Sequence, residues 1–99
     1  MALMELSVVP LGLGTPSVGD HIADIQKELA KGKLPYKLTD MGTIIEGSIS
    51  DVLSLAARLH ELPFARGVKR VQTVIIIDDR RDKKVLLDDK VKSVQARLR

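Results

Sequence analysis

Cysteine and tryptophan are both absent from this chain of 99 residues. Without a thiol there is no disulfide, no thiolate nucleophile and no cysteine-ligated zinc or iron–sulfur centre. Aromatic residues are nearly missing as well, with Tyr36 and Phe64 the only two. A sheet that stacks unpaired bases needs several aromatics on one face, so recognition of single-stranded nucleic acid is not expected. No apolar run approaches the length that crosses a bilayer. The apolar N-terminus has no basic leader and is interrupted by Glu5, so the sequence predicts a cytoplasmic protein with no membrane partner. His21 and His60 have no companion at metal-ligand spacing, and no nucleophile stands beside a base. No metal, no cofactor, no catalytic residue and no enzyme activity are therefore expected.

What is present is an ordinary apolar content and an uneven charge. Residues 1–66 carry six Lys/Arg against eight Asp/Glu, and residues 67–99 carry ten against five. The basic C-terminal third could attract an anion or nucleic acid through Lys69, Arg70, Lys83, Lys84, Lys90 and Lys92. Interleaved Asp78, Asp79, Asp82, Asp88 and Asp89 argue instead for a solvated, internally paired surface. The length fits one domain spanning residues 1–99.

Met4 to Val9 alternates, with Met4, Leu6 and Val8 on one face and Glu5, Ser7 and Val9 on the other, which predicts a first strand stopped by Pro10. The following LGLGTP loop lacks both dinucleotide spacing and a phosphate-loop lysine. Ser17 with Asp20 opens a helix whose stripe is Val18, Ile22, Ile25 and Leu29, and Gly32 ends it. Pro35–Thr39 and Thr43–Ile49 read as strands joined by a tight turn at Asp40-Met41-Gly42. Ser50 and Asp51 are expected to cap a second helix with the stripe Val52, Leu55, Ala56, Leu59 and Leu62, closed by Pro63. Val74-Ile75-Ile76-Ile77 is short, apolar and β-branched, and reads as a strand buried on both faces. Leu87, Val91, Val94 and Leu98 then fall at helical spacing and predict a short last helix.

The order is β-α-β-β-α-β plus a C-terminal helix. This is the α+β, ferredoxin-like split βαβ pattern, a four-stranded antiparallel sheet with helices on one face. Its other face must be wet or covered, and its last strand is an edge, an aggregation hazard unless paired. Packing of open faces or edges between copies of the chain is therefore expected. Parity places Glu5, Ser7, Ile44, Glu46, Ser48, Gln72, Val74, Ile76 and Asp78 on the open face. Such a mixture suits a small, flat, partly cationic ligand held between sheets. It equally suits an interface whose polar groups satisfy one another.

Several stretches carry a resemblance: GTIIEG at Gly42–Gly47, Gly67–Val71, the run Ile77–Lys83 (IDDRRDK), Lys92-Ser93-Val94, and Val9–Gly12 with the helix start at Ser17. Together they resemble the small thiamine-binding, YkoF-like family of ferredoxin-like proteins, over nearly the whole chain. The resemblance implies homodimers or tetramers of non-catalytic subunits serving vitamin salvage, with thiamine or its hydroxymethylpyrimidine part as ligand. On that basis the expected ligand residues are Glu5, Ser7, Ser17, Thr43, Ile44, Glu46, Ser48, Ile76 and Asp78. Glu46 would take the polar or cationic part, the hydroxyls would orient it, and Ile44 and Ile76 would wall the ring. The family pattern has a lysine where this chain has Ile76, which makes this face drier. Arg80, Arg81 and Asp82 are expected to be structural.

Overall fold

Alternate residues of the first strand are buried, and this two-residue rhythm lays out the sheet. The structure is a computed structural model that describes residues 1–15 and 18–99. The elements are β1 (Ala2–Leu11), α1 (Gly19–Lys31), β2 (Tyr36–Leu38), β3 (Thr43–Gly47), α2 (Ile49–Ala65), β4 (Arg70–Asp79) and α3 (Asp89–Arg97). The strands form one antiparallel sheet in the order β2-β3-β1-β4, the ferredoxin-like arrangement. Met4, Leu6, Val8 and Ile45 face the helices and join Ile25 and Leu29 of α1 with Val52, Leu55, Ala56 and Leu59 of α2 in the core. Burying one of these aliphatic side chains contributes roughly 1.5–3 kcal/mol, so this layer dominates stability.

Several boundaries differ from those read off the sequence. Pro10 does not stop β1, which continues to Leu11. The β1–β3 ladder ends at Leu6 and Thr43, so beyond it β1 pairs only with β4, and a proline is tolerated on a strand with one free edge. The expected helix cap at Ser17 lies outside the described residues. The cap of α2 is Ser48, not Ser50 or Asp51: its extended backbone lets the hydroxyl accept from the Asp51 N–H at 3.1 Å. Ser48 and Asp51 have the spacing of a capping box. Pro63 lies inside α2, which survives only to Ala65. Arg66, Gly67 and Val68 donate backbone N–H groups back to Pro63 and Phe64. The turn out of the helix runs through Gly67 at φ +89°, a conformation glycine adopts without strain.

The largest correction concerns β4. It is an edge strand, and Val74 and Ile76 are 50% and 59% exposed on one face while Ile75 and Ile77 are 39% and 36% exposed on the other. The run is therefore not buried on both faces within one chain. It pairs with β1 along ten residues, and its outer edge has no strand partner among the described residues. The last helix forms where its periodicity places it, yet none of its residues is buried. Its lead-in, residues 80–88, returns across the open face, where Leu87 donates its backbone N–H to Glu46 Oε2 at 3.3 Å.

Candidate functional site

Cross-strand register sets the open face. Glu5 stands between Ile44 on β3 and Ile76 on β4, and Lys37 on β2 flanks Ile44. One row along, Leu3 stands between Glu46 and Asp78. Directly opposed residues share a face with their Cβ atoms about 5 Å apart. The structure therefore brings Glu5, Ile44 and Ile76 together, and separately Glu46 and Asp78 around Leu3.

The two rows differ in what covers them. Glu46 is buried because the returning segment lies over it, and its carboxylate is engaged by the Leu87 N–H. The same segment is pinned by Lys37 to Asp88 at 3.0 Å, and the start of α3 by Lys90 to Asp78. Asp88 is at φ +71°, a left-handed conformation that costs a non-glycine residue strain. Glu5 is half-buried, and its carboxylate has no ion pair or hydrogen bond among the described residues. Its Cγ lies 3.5 Å from where a Cβ at Gly42 would stand, and that Cβ would meet the Leu6 carbonyl oxygen at 2.8 Å. Only glycine fits there, which gives the Gly42-Thr43 step a steric cause.

Thr43 lies on the helix face, opposite Leu6 and Leu38. It is buried, and its hydroxyl accepts from the Gln26 side-chain amide at 3.0 Å. Where the β1–β3 ladder stops, a cavity of about 140 Å³ opens between α1 and the β2–β3 turn, with Ser7, Ile22, Gln26, Leu38 and Thr43 in its wall. Ser7 and Thr43 thus meet around a cavity, although parity puts them on opposite faces of the sheet. Gln26 escaped the sequence reading. Its signal was a polar residue one turn after Ile22, inside the apolar stripe of α1.

The remaining expected ligand residues fall elsewhere. Ser48 caps α2, and Ser17 lies outside the described residues. Arg80 pairs with Asp82 at 2.5 Å and Arg81 with Asp79 at 2.8 Å, so these four charges neutralise one another. Hydrogen bonding to Arg81 holds the Asp79 carboxyl below its ordinary range. His60 bonds the Thr73 hydroxyl at 2.6 Å and meets Phe64 edge-on, joining α2 to β4. Among the described residues no cluster of His, Asp and Glu could hold a metal. Among them, too, no helix is long and apolar enough to cross a membrane.

Comparison with known proteins adds an independent line. A family model described as thiamine-binding protein matches residues 4–95. The UPF0045 protein YqgV of Bacillus subtilis is 47% identical, covering 99% of this chain and 98% of the relative. A UPF0045 protein of Methanothermobacter thermautotrophicus is 37% identical over 99% of this chain and 100% of its own length. Among solved structures, a hypothetical protein from Methanocaldococcus jannaschii superposes with a TM-score of 0.84 at 28% identity, covering 95% of both chains. A Thermotoga maritima protein, assigned provisionally to thiamine biosynthesis or salvage, superposes with a TM-score of 0.78 and covers 94% of this chain and 97% of its own. At 16% identity it supports the fold alone.

Proposed function

The chain belongs to the thiamine-binding protein family, and we propose that it is a non-catalytic, single-domain, cytoplasmic binder of thiamine or its hydroxymethylpyrimidine part. The observation that carries this is the cavity of about 140 Å³ beside Gln26 and Thr43. An apolar cavity of about 150 Å³ accepts a benzene ring, so this one matches a single six-membered ring. The polar groups suit an aminopyrimidine. The Thr43 hydroxyl receives the Gln26 amide N–H and keeps its own proton to donate to a ring nitrogen. The Gln26 amide oxygen can accept from the exocyclic amine. Ile22 and Leu38 supply apolar walls, and Asp40, in the same lining, offers a carboxylate toward a thiazolium cation. Residue parity on the open face points instead to Glu46 as a ligand contact. One oxygen of that carboxylate already accepts from the Leu87 N–H, so Glu46 holds the returning segment and keeps its other oxygen to accept from a ligand.

The exposed, unpaired β4 edge supports self-association of such subunits, since an apolar edge of this length is an aggregation hazard when bare. Calorimetric titration with thiamine and with hydroxymethylpyrimidine tests the ligand. Saturable binding that Thr43→Val weakens about tenfold, the loss of one buried hydrogen bond, is the expected result. Unchanged affinity in Thr43→Val would place the ligand elsewhere. Light scattering of wild type and Val74→Asp, at an exposed position of the same strand, tests the assembly, with wild type expected as a dimer or tetramer and the variant as a smaller species.

A further inference from the structure

A second cleft, of about 680 Å³, opens where the chain leaves α2 and approaches β4. Four basic side chains line it: His21 from α1, Arg66 from the end of α2, and Lys69 and Arg70 before and at the start of β4. Beside them runs the stretch Leu11 to Leu13 at the end of β1, and among the described residues no acidic side chain belongs to the lining. A Cβ at Gly12 or at Gly67 would meet nothing within 4 Å, so the backbone on both sides leaves space for a ligand.

The charges of this cleft are not balanced internally. Arg66 is bound by Asp24 through two side-chain hydrogen bonds. Asp20 lines a smaller adjoining cleft of about 290 Å³ with Thr15, His21 and Arg66. Lys69 and Arg70 have no ion pair or side-chain hydrogen bond among the described residues, in contrast to Arg80 and Arg81, which pair with neighbouring aspartates. His21 Nδ1 is buried without a hydrogen-bond partner. Unpaired cations gathered in a concave wall create a focused positive potential that raises the local concentration of anions.

We propose that this cleft binds the phosphate group of a small phosphorylated metabolite. Arg70 presents the planar fork that matches two phosphate oxygens, and Lys69 adds a mobile point charge. Arg66, held by Asp24, sets one wall. The cleft and the ring-sized cavity share elements. Val9 and Ile22 line the cavity, while Leu11 and His21, close by on the same strand and helix, line the cleft. The phosphate can therefore belong to the ring-bearing ligand, a form of the inference that rests on the function proposed above, or to a separate metabolite.

Calorimetry at fixed ionic strength, with sodium pyrophosphate, thiamine and thiamine monophosphate as probes, tests the cleft. The proteins are wild type, Lys69→Ala/Arg70→Ala and Gln26→Ala. Both basic residues are exposed, so their removal leaves the fold intact. Pyrophosphate should saturate wild type and Gln26→Ala, and bind the double variant about tenfold or more weakly, as expected for losing charge-assisted hydrogen bonds. A tighter affinity for thiamine monophosphate than for thiamine, abolished in the double variant, assigns the phosphate to the ring-bearing ligand. Equal affinities alongside saturable pyrophosphate assign it to a separate metabolite. Pyrophosphate saturation without any thiamine binding removes the ring-ligand reading and leaves the phosphate site standing. Heat that never saturates in wild type, or equal pyrophosphate binding by the double variant, overturns the inference.

Discussion

The two faces of the sheet are sealed by different physics. On the helix face, Met4, Leu6, Ile45, Val52 and Leu59 exclude water by apolar contact. On the open face, the returning segment 80–88 and α3 are tied by the Glu46–Leu87 hydrogen bond and by the pairs Lys37–Asp88 and Lys90–Asp78, and no residue of α3 is itself buried. Apolar burial scales with area and holds the fold. Exposed ion pairs are worth roughly 0–1 kcal/mol each and mainly set position. The helix face is thus held by apolar area, and the cover on the open face is positioned by a few polar contacts.

The comparison breaks most sharply at Leu59, which is fully buried in the middle of α2. Leu59→Ala should cost about 2–5 kcal/mol in denaturant unfolding, from lost transfer energy and the cavity left behind. Val94→Ala, on exposed α3, should change the stability of the isolated chain by about 0.5 kcal/mol or less. A large loss in Val94→Ala would mean that α3 is packed in solution, and the contrast between the faces would fail.

Glu46→Ala is the intermediate case. It removes the acceptor of one N–H at 3.3 Å and leaves the donor to find water. The expected cost is about 1–2 kcal/mol, with faster hydrogen exchange confined to the Leu87 amide and α3. Exchange that quickens through β1 and β3 as well would show that the carboxylate supports the whole sheet.

What the sequence disclosed follows from the same division. Period-two and period-3.6 patterns report burial against neighbouring elements, so β1, the helical stripes and the element order were all readable. The cap of α2 was readable in principle, since Ser48 and Asp51 have capping-box spacing, but Ser50 beside them offers the same chemistry. The four apolar residues of β4 looked doubly buried because composition records the wish for cover, not which molecule supplies it. The burial of Glu46 depends on a segment about forty residues downstream folding back, and no local pattern encodes that return. The ring-sized cavity was hidden for a related reason: it exists because β3 begins at Thr43 while β1 runs on to Leu11, a difference of ladder lengths rather than of residues.

The smallest expected effect lies between the helices themselves. Hydrogen bonding to Arg66 holds the Asp24 carboxyl below its ordinary value of 3.8. A lowered carboxylate pKa means that the folded protein binds its proton less readily than the unfolded chain does. The pair therefore contributes stability at pH values above 3.8, and that contribution is lost as the pH falls through the lowered folded value. Both side chains are partly exposed, so solvent screening keeps the contribution small. Thermal unfolding of wild type and Asp24→Asn should differ slightly at neutral pH, with wild type the more stable, and the curves should converge in acid. A difference that persists undiminished at low pH would assign the effect to packing between α1 and α2 instead of to charge. The helix face would then owe its cohesion to apolar contact alone, which would make the contrast with the ion-paired open face sharper.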